Sequence, residues 1–298
     1  MLSFLTIYNL LMPELPEIEI VKRSLNKMII NTKIINVKTS NKSLRYKIPY
    51  TFSKNLINEI IMKISRRSKY LIFHLKKKII LAHFGMSGKL LILNHSDKTL
   101  RKTSFYYNLN IKKKHNHIYF KLNNGLTLIY NDVRRFGFFK LYNTTNFTKI
   151  KFLKKIGLEP FSKLFNLHYF INYIQNKKKN IKNLLMDQTF VAGLGNIYVN
   201  EVLFMSKVNP LRACNNLNKK EVKSLILNIK KILKVSISKG GSSIKDFKDT
   251  SGKKGYFQQS FRVYGKKNKK CSRISCKGTI KKLFISSRAS FYCSRCQT

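Results

Sequence analysis

The apolar periodicity of the chain changes once, and that change limits what it can fold into. Over residues 33–141, short β-branched and aromatic runs recur at 34–37, 70–75, 79–83, 89–93, 118–122, 126–130 and 138–141. Runs of that length read as strands, and several at close spacing predict a β-sandwich or barrel. Asn123-Asn124-Gly125 has the residues of a hairpin turn between two of them. From about residue 147 to 238 the spacing becomes helical, with segments at 170–174, 181–186, 198–204 and 219–237. An earlier amphipathic helix of roughly 13 residues is predicted after the run 12–17, ending before Asn31. Gly240-Gly241-Ser242-Ser243 breaks the helical region, and a Gly-containing loop follows at 250–255. The 298 residues suit about two domains. The predicted order is β-rich, then helical, then a small cysteine-bearing tail.

Charge decides the class of partner. Lys and Arg total 60 against 12 Asp and Glu, a formal net charge of +48. That balance excludes a neutral or basic partner and points to a polyanion, nucleic acid before a membrane surface. With 43% hydrophobic and 12% aromatic residues, the chain is not a disordered basic tail. Lys, Asn and Ile abound and Trp is absent, as A/T-rich codons favour, so drift accounts for part of the excess. The 12 carboxylates run against that grain, and their positions carry information. No apolar run reaches the roughly 18 residues needed to span a bilayer. The first 11 residues are apolar but carry no positive n-region and no small-residue cleavage site, so they make a poor signal peptide.

Four of the five cysteines lie in the last 28 residues. Cys271-x4-Cys276 is followed, after 16 residues, by Cys293-x2-Cys296. Two such pairs in a chain otherwise poor in cysteine predict one structural zinc ion in a reducing compartment rather than a disulfide scaffold. The plainer alternative is four unligated buried cysteines. A structural zinc contributes to folding, not to catalysis.

The other chemical signal is Met12-Pro13-Glu14-Leu15-Pro16-Glu17. If translation begins at Met12, removal of that residue leaves Pro13 as a free secondary amine, nucleophilic near neutrality. It could attack a sugar C1′, with Glu14 moving the proton. Residues 1–11 are then an extension left by a mis-set start. The plainer alternative for Pro-Glu is the first turn of a helix.

Taken with further motifs, this run makes the chain resemble the formamidopyrimidine-DNA glycosylases, bacterial 8-oxoguanine glycosylase/AP lyases, over about residues 12–297. The motifs are Arg66-Arg67-Ser68-Lys69-Tyr70-Leu71, His83-Phe84-Gly85-Met86-Ser87-Gly88, Asp132-Val133-Arg134-Arg135-Phe136-Gly137, Leu185-Met186-Asp187-Gln188, Gly193-Leu194-Gly195-Asn196-Ile197-Tyr198, Gly240-Gly241, Val263-Tyr264-Gly265 and the cysteine module. The resemblance implies an α+β multidomain fold: an N-terminal β-sandwich with flanking helices at 12–145, a helical domain with a helix–two-turn–helix at 146–260, and a C-terminal β-hairpin zinc finger at 261–298. It implies that Pro13 forms the imine, that Glu14 is its acid/base partner, that Lys69 serves β-elimination, and that Arg288 serves δ-elimination and phosphate contact. Met86, Arg134 and Phe136 match residues that fill the stack when a base is flipped out. Asn196, Lys177, Lys182 and His115 match DNA contacts, and 250–257 matches a lid over the extruded base. Asp187 and Glu201 read as structural carboxylates. The wide first cysteine pair departs from the family pattern, as does Val133 in place of a common Pro.

The implied activity is removal of oxidised purines from duplex DNA, followed by β,δ-elimination. Its partner is damaged double-stranded DNA, with no membrane, and its setting is a monomer in the nucleoid region of bacterial cytoplasm. Two alternatives stand beside it. One is an endonuclease VIII-like enzyme for oxidised pyrimidines, which Leu15 disfavours because that sister family usually has Gly there. The other is a zinc-finger DNA-binding relative without activity.

Overall fold

A computed structural model describes residues 13–40, 43–103, 111–240 and 261–298. The expected extension at 1–11, its Met12 start and the expected lid at 250–257 lie outside the described residues. The chain forms two compact units. The first holds Pro13, 21–66 and 70–147; the second holds 14–20, 67–69 and 148–298. Two short segments from the first half of the sequence therefore belong to the second unit, and both carry expected site residues.

Helix α1 (Leu15–Met28) comes first, and its apolar positions Leu15, Ile18, Val21 and Leu25 are buried along one face. It stops before Asn31, whose φ of 61° is left-handed. The first unit is a sandwich of two sheets. One contains β1 (Ile34–Thr39), β5 (Lys89–Asn94), β6 (Leu100–Lys102), β7 (Asn116–Leu122) and β8 (Leu126–Asn131), ordered β1-β7-β8-β5-β6. The other contains β2 (Ile61–Arg67), β3 (Tyr70–Leu75), β4 (Lys78–His83) and β9 (Phe138–Asn143), ordered β2-β3-β4-β9. A short helix α2 (Thr51–Lys54) precedes β2. The predicted turn joins β7 to β8, with Gly125 at φ 78°. β2 and β6 were not among the predicted strands. In β2, Ile-Met-Lys-Ile-Ser-Arg-Arg has too few consecutive β-branched residues to stand out from a basic background.

The second unit contains α3 (Lys151–Lys154), α4 (Leu167–Ile174), α5 (Ile181–Met186), α6 (Asn196–Met205) and α7 (Lys219–Ser238). Local chemistry starts three of them. The Asn166 and Asn180 side chains accept from Tyr169 N–H and Asn183 N–H, and Asn218 with Glu221 closes a full capping box on α7. α6 differs. Its N-cap is Gly195, which has no side chain to offer, and every residue from Ile197 to Phe204 is buried. The tail is a hairpin of β10 (Ile280–Ile285) and β11 (Arg288–Cys293), turned by Ser286 and Ser287 at φ 47° and 60°. Its core, Val263, Cys271, Ile280, Phe291 and Cys293, gathers around Phe204 of α6.

Candidate active site and metal centre

The missing cap of α6 comes from far away in sequence. Glu14 Oε1 accepts the Ile197 N–H at 3.0 Å. A carboxylate at a helix N-terminus is favoured by the orphan N–H groups and the helix dipole. The approach is so close that a Cβ on Gly195 would lie 2.3 Å from the Glu14 carboxyl carbon. Glycine is required there for space. At Gly193 it is required for conformation, since φ is 84°; this residue's carbonyl also accepts the Leu15 N–H at 3.0 Å. Glu14 is 2% exposed, and its Oε2 has no hydrogen-bond partner among the described residues. Burial pushes its pKa up to about 7, with Glu17 adding to the rise; Lys69 and the Ile197 and Gly195 N–H groups pull against it. A carboxyl poised near neutrality can both hold and release a proton.

Glu17 supports this arrangement. Its Oε2 accepts the Glu14 N–H at 2.9 Å, and its Oε1 accepts the Tyr198 hydroxyl at 2.7 Å. Ser236 Oγ lies 2.6 Å from the same hydroxyl. The segment following Pro13, itself buried, is thereby tied to α6 and α7.

Lys69 follows Ser68, whose φ is 54°. Glu159 and Gln188 hold this turn. The Ser68 N–H donates to Glu159 Oε1 at 2.7 Å, and Ser68 Oγ donates to Gln188 Oε1 at 3.0 Å. Arg67 bridges to the same Glu159 at 3.2 Å and donates to the Ile156 and Gly157 carbonyls. The Lys69 pKa is lowered, mainly by burial, with Glu14 opposing and the Arg288 charge adding to the fall. Glu159 was missed by motif reading. The scarcity of acids was the signal that could have found it, because it is one of only 12.

Lys182 is 1% exposed, and its ammonium donates to Ala289 O at 3.0 Å and Ser290 Oγ at 2.6 Å. Burial brings its pKa down to about 7, with Arg288 adding to the fall and Glu14 opposing. Asn196 donates to the same Ala289 carbonyl at 3.0 Å, and Asn200 accepts the Phe291 N–H at 2.6 Å. Together these hold the hairpin that presents exposed Arg288. Glu14, Lys69, Lys182, Asn196 and Arg288 thus form one cluster. The Lys177 ammonium lies 4.7 Å from the Tyr173 ring centre. Asp187 pairs with Lys179 at 2.9 Å and caps the Thr189 N–H. Glu201 accepts three backbone N–H groups, from Arg262, Val263 and Tyr264, at 2.8–3.0 Å.

The remaining expected DNA contacts, Met86, His115, Arg134 and Phe136, all lie in the first unit. Phe136 is 44% exposed with the Arg134 guanidinium 4.6 Å over its ring. Arg45, His83, Met86, Arg134 and Phe136 help line a cavity of about 730 Å³.

In the tail, the four expected sulfur atoms of Cys271, Cys276, Cys293 and Cys296 lie within 4.8 Å of one another. Cys271–Cys296 is 3.8 Å and Cys276–Cys293 is 3.6 Å. A tetrahedral ion with bonds of about 2.3 Å sets its sulfur ligands about 3.8 Å apart, so this donor set fits a metal ion. The wide first pair reaches the cluster like the second.

Residues 12–139 match the formamidopyrimidine-DNA glycosylase N-terminal domain, and residues 156–248 match the formamidopyrimidine-DNA glycosylase H2TH domain. The chain belongs to the formamidopyrimidine-DNA glycosylase family. The relative from Bartonella tribocorum is 42% identical over 297 residues, covering 96% of this chain and 100% of that one. The relative from Rickettsia conorii is 39% identical over 287 residues, covering 96% and 99%. Two solved structures of this family are similar throughout. A Lactococcus lactis variant in complex with Fapy-dG-containing DNA superposes with a TM-score of 0.83 at 35% identity, covering 96% of this chain and 100% of that one. The Lactococcus lactis protein with DNA containing an abasic site gives 0.81 at 36%, covering 96% and 99%. Among the described residues, no helix is long and apolar enough to cross a membrane.

Proposed function

We propose that this chain is a base-excision-repair DNA glycosylase and AP lyase that removes oxidised purines from duplex DNA and then cleaves the strand. The observation that carries the mechanism is Glu14: buried, held by one oxygen on the α6 N-terminus, with no hydrogen-bond partner on the other among the described residues, and with its pKa pushed up to about 7 by burial beside Lys69. In this reading Pro13 N attacks C1′ of the flipped nucleotide. The glycosidic bond breaks, and the base leaves with the proton that Pro13 N gives up on forming its bond to C1′. Glu14 delivers a proton to the sugar ring oxygen as the ring opens to the iminium. Lys69 serves β-elimination. Arg288, exposed at the start of β11 in the hairpin held by Lys182 and Asn196, serves δ-elimination and contacts phosphate. Met86 and Phe136 fill the vacated stack, and Arg134 faces the orphaned base.

The four cysteines are suited to one zinc ion, which stabilises the tail and takes no part in the chemistry. We assign 12–145 to the catalytic sandwich, 146–260 to the helical domain and 261–298 to the zinc finger, and place the protein in bacterial cytoplasm with DNA. Proline is nucleophilic only with its nitrogen free. The test compares protein beginning at Pro13 with protein beginning at Met1, each incubated with an 8-oxoguanine:cytosine duplex and borohydride. The Pro13 form is expected to give a trapped adduct and, without borohydride, a one-nucleotide gap. Absence of both sinks the enzyme reading; equal reaction of the unprocessed Met1 form sinks the role of Pro13.

A further inference from the structure

Asp132 is fully buried, 0% exposed, yet none of the roles above uses it. Among the described residues, its carboxylate accepts three hydrogen bonds, all from uncharged donors of the same unit. Oδ1 accepts from the Ser87 hydroxyl. Oδ2 accepts from the Tyr130 hydroxyl at 3.0 Å and the Gly137 N–H at 2.9 Å. Its backbone is held as well: the Asp132 N–H donates to His115 O at 2.9 Å. His117 Nε2 lies 2.8 Å from Asp132 O, and Ser40 Oγ lies 3.1 Å from His117 Nδ1. A carbonyl only accepts, so His117 carries its proton on Nε2.

Three of these bonds, those to Ser87, Gly137 and His115, end on or beside an expected DNA contact. Ser87 follows Met86, and its oxygen also accepts the Arg134 N–H at 3.0 Å. Gly137 follows Phe136. The His115 carbonyl belongs to the fourth. Space is as tightly set as the hydrogen bonds. A Cβ on Gly137 would lie 1.8 Å from the Tyr130 hydroxyl, and one on Gly88 would lie 2.5 Å from it. A Cβ on Gly85, at φ 59°, would lie 2.5 Å from the Phe136 backbone. The loop 84–88 and the loop 132–137 are therefore joined through one carboxylate, and Arg135 at φ 58° lets the second loop turn back to it.

We propose that Asp132, acting through Ser87, Tyr130 and the Gly137 N–H, is a positioning residue that sets Met86, Arg134 and Phe136 as one rigid wedge for insertion into duplex DNA. The role rests on the glycosylase reading and deepens it, because a wedge matters only where a stack must be opened. A side chain that must enter between base pairs gains by being ordered before contact, since ordering it afterwards subtracts from binding. Asp132 touches no reacting atom in this account, and its loss is felt only on stacked substrate.

The test uses whichever form, beginning at Pro13 or Met1, traps an abasic site. D132N, S87A and Y130F are compared with the unchanged chain on two substrates: an 8-oxoguanine:cytosine duplex and a single-stranded oligonucleotide with a preformed abasic site. The single strand has no stack to open. D132N is expected to slow excision from the duplex by about 10²-fold, the size of effect a misplaced group gives. S87A and Y130F, which each leave two of the three bonds to the Asp132 carboxylate in place, are expected to slow it less. Trapping on the single strand should stay within about twofold, since its chemistry needs no wedge. Fluorescence of 2-aminopurine beside a lesion should rise on binding the unchanged chain and rise less with the variants. If D132N does not fold, as its melting temperature will tell, S87A and Y130F carry the same comparison. Equal slowing on both substrates, or unchanged duplex excision, overturns the positioning role. Inactivity of the unchanged chain on both substrates sinks the glycosylase reading and the wedge with it.

Discussion

Glu14 and Glu201 are both buried carboxylates of the second unit, and burial raises the pKa of each. They differ in what fills their oxygens. Glu201 accepts from Arg262, Val263 and Tyr264 N–H, so both its oxygens are occupied. Glu14 has the Ile197 N–H on one oxygen and, among the described residues, no hydrogen-bond partner on the other. A carboxylate wholly satisfied by backbone is a fixed part of the scaffold; one left half open in a buried site can take or give a proton. The same contrast separates Lys182, whose ammonium is bonded to Ala289 and Ser290, from Lys69, whose charge is tied to Glu14 by proximity.

Substitution should separate the two carboxylates. E14Q keeps the shape but cannot ionise, and base release should fall by about 10³-fold, roughly 4 kcal/mol of barrier, with little change in melting temperature. A comparable loss in stability with retained activity would reverse the assignment. E201Q sets an NH₂ against backbone donors. It should lower stability by about 2 kcal/mol in denaturant unfolding while leaving per-molecule activity nearly intact at low temperature. If E201Q instead abolishes trapping in a fully folded protein, Glu201 belongs to the chemistry.

A further expected effect is in pH dependence. The folded pKa of Glu14, about 7, lies above its ordinary 4.5, so the fold favours the protonated form. That contribution is complete below pH 4.5 and is lost as pH rises through 7. Lys182 has the opposite sign: its pKa falls from 10.5 to about 7, so its contribution is present above 10.5 and lost as pH falls through 7. Between pH 4.5 and 7 the wild type should therefore lose stability relative to E14Q, and a flat difference would refute the raised pKa of Glu14.

Much of this was legible in residue order. α5 at 181–186 and β3 at 70–75 fall where periodicity put them, because each carries a short-range pattern strong enough to stand alone. β2 did not show, since its Lys and Arg residues hide its alternation. Glu159 did not show either, because its work is to hold a turn some 90 residues earlier, with |i−j| of 91 to Ser68. Residue order marks Lys182 as a basic residue near the motif, and only packing shows that its ammonium donates to Ala289 O and Ser290 Oγ of the hairpin.

By itself the sequence determined the succession of strands, helices and a four-cysteine tail, because periodicity and ligand spacing are local. It also marked the carboxylates as informative in a chain of net charge +48. Which carboxylate is reagent and which is scaffold was decided only by tertiary structure. Desolvation and hydrogen-bond satisfaction depend on what arrives from elsewhere: Glu14 acquires its environment from an N–H 183 residues away, and a Gly195 small enough to admit it.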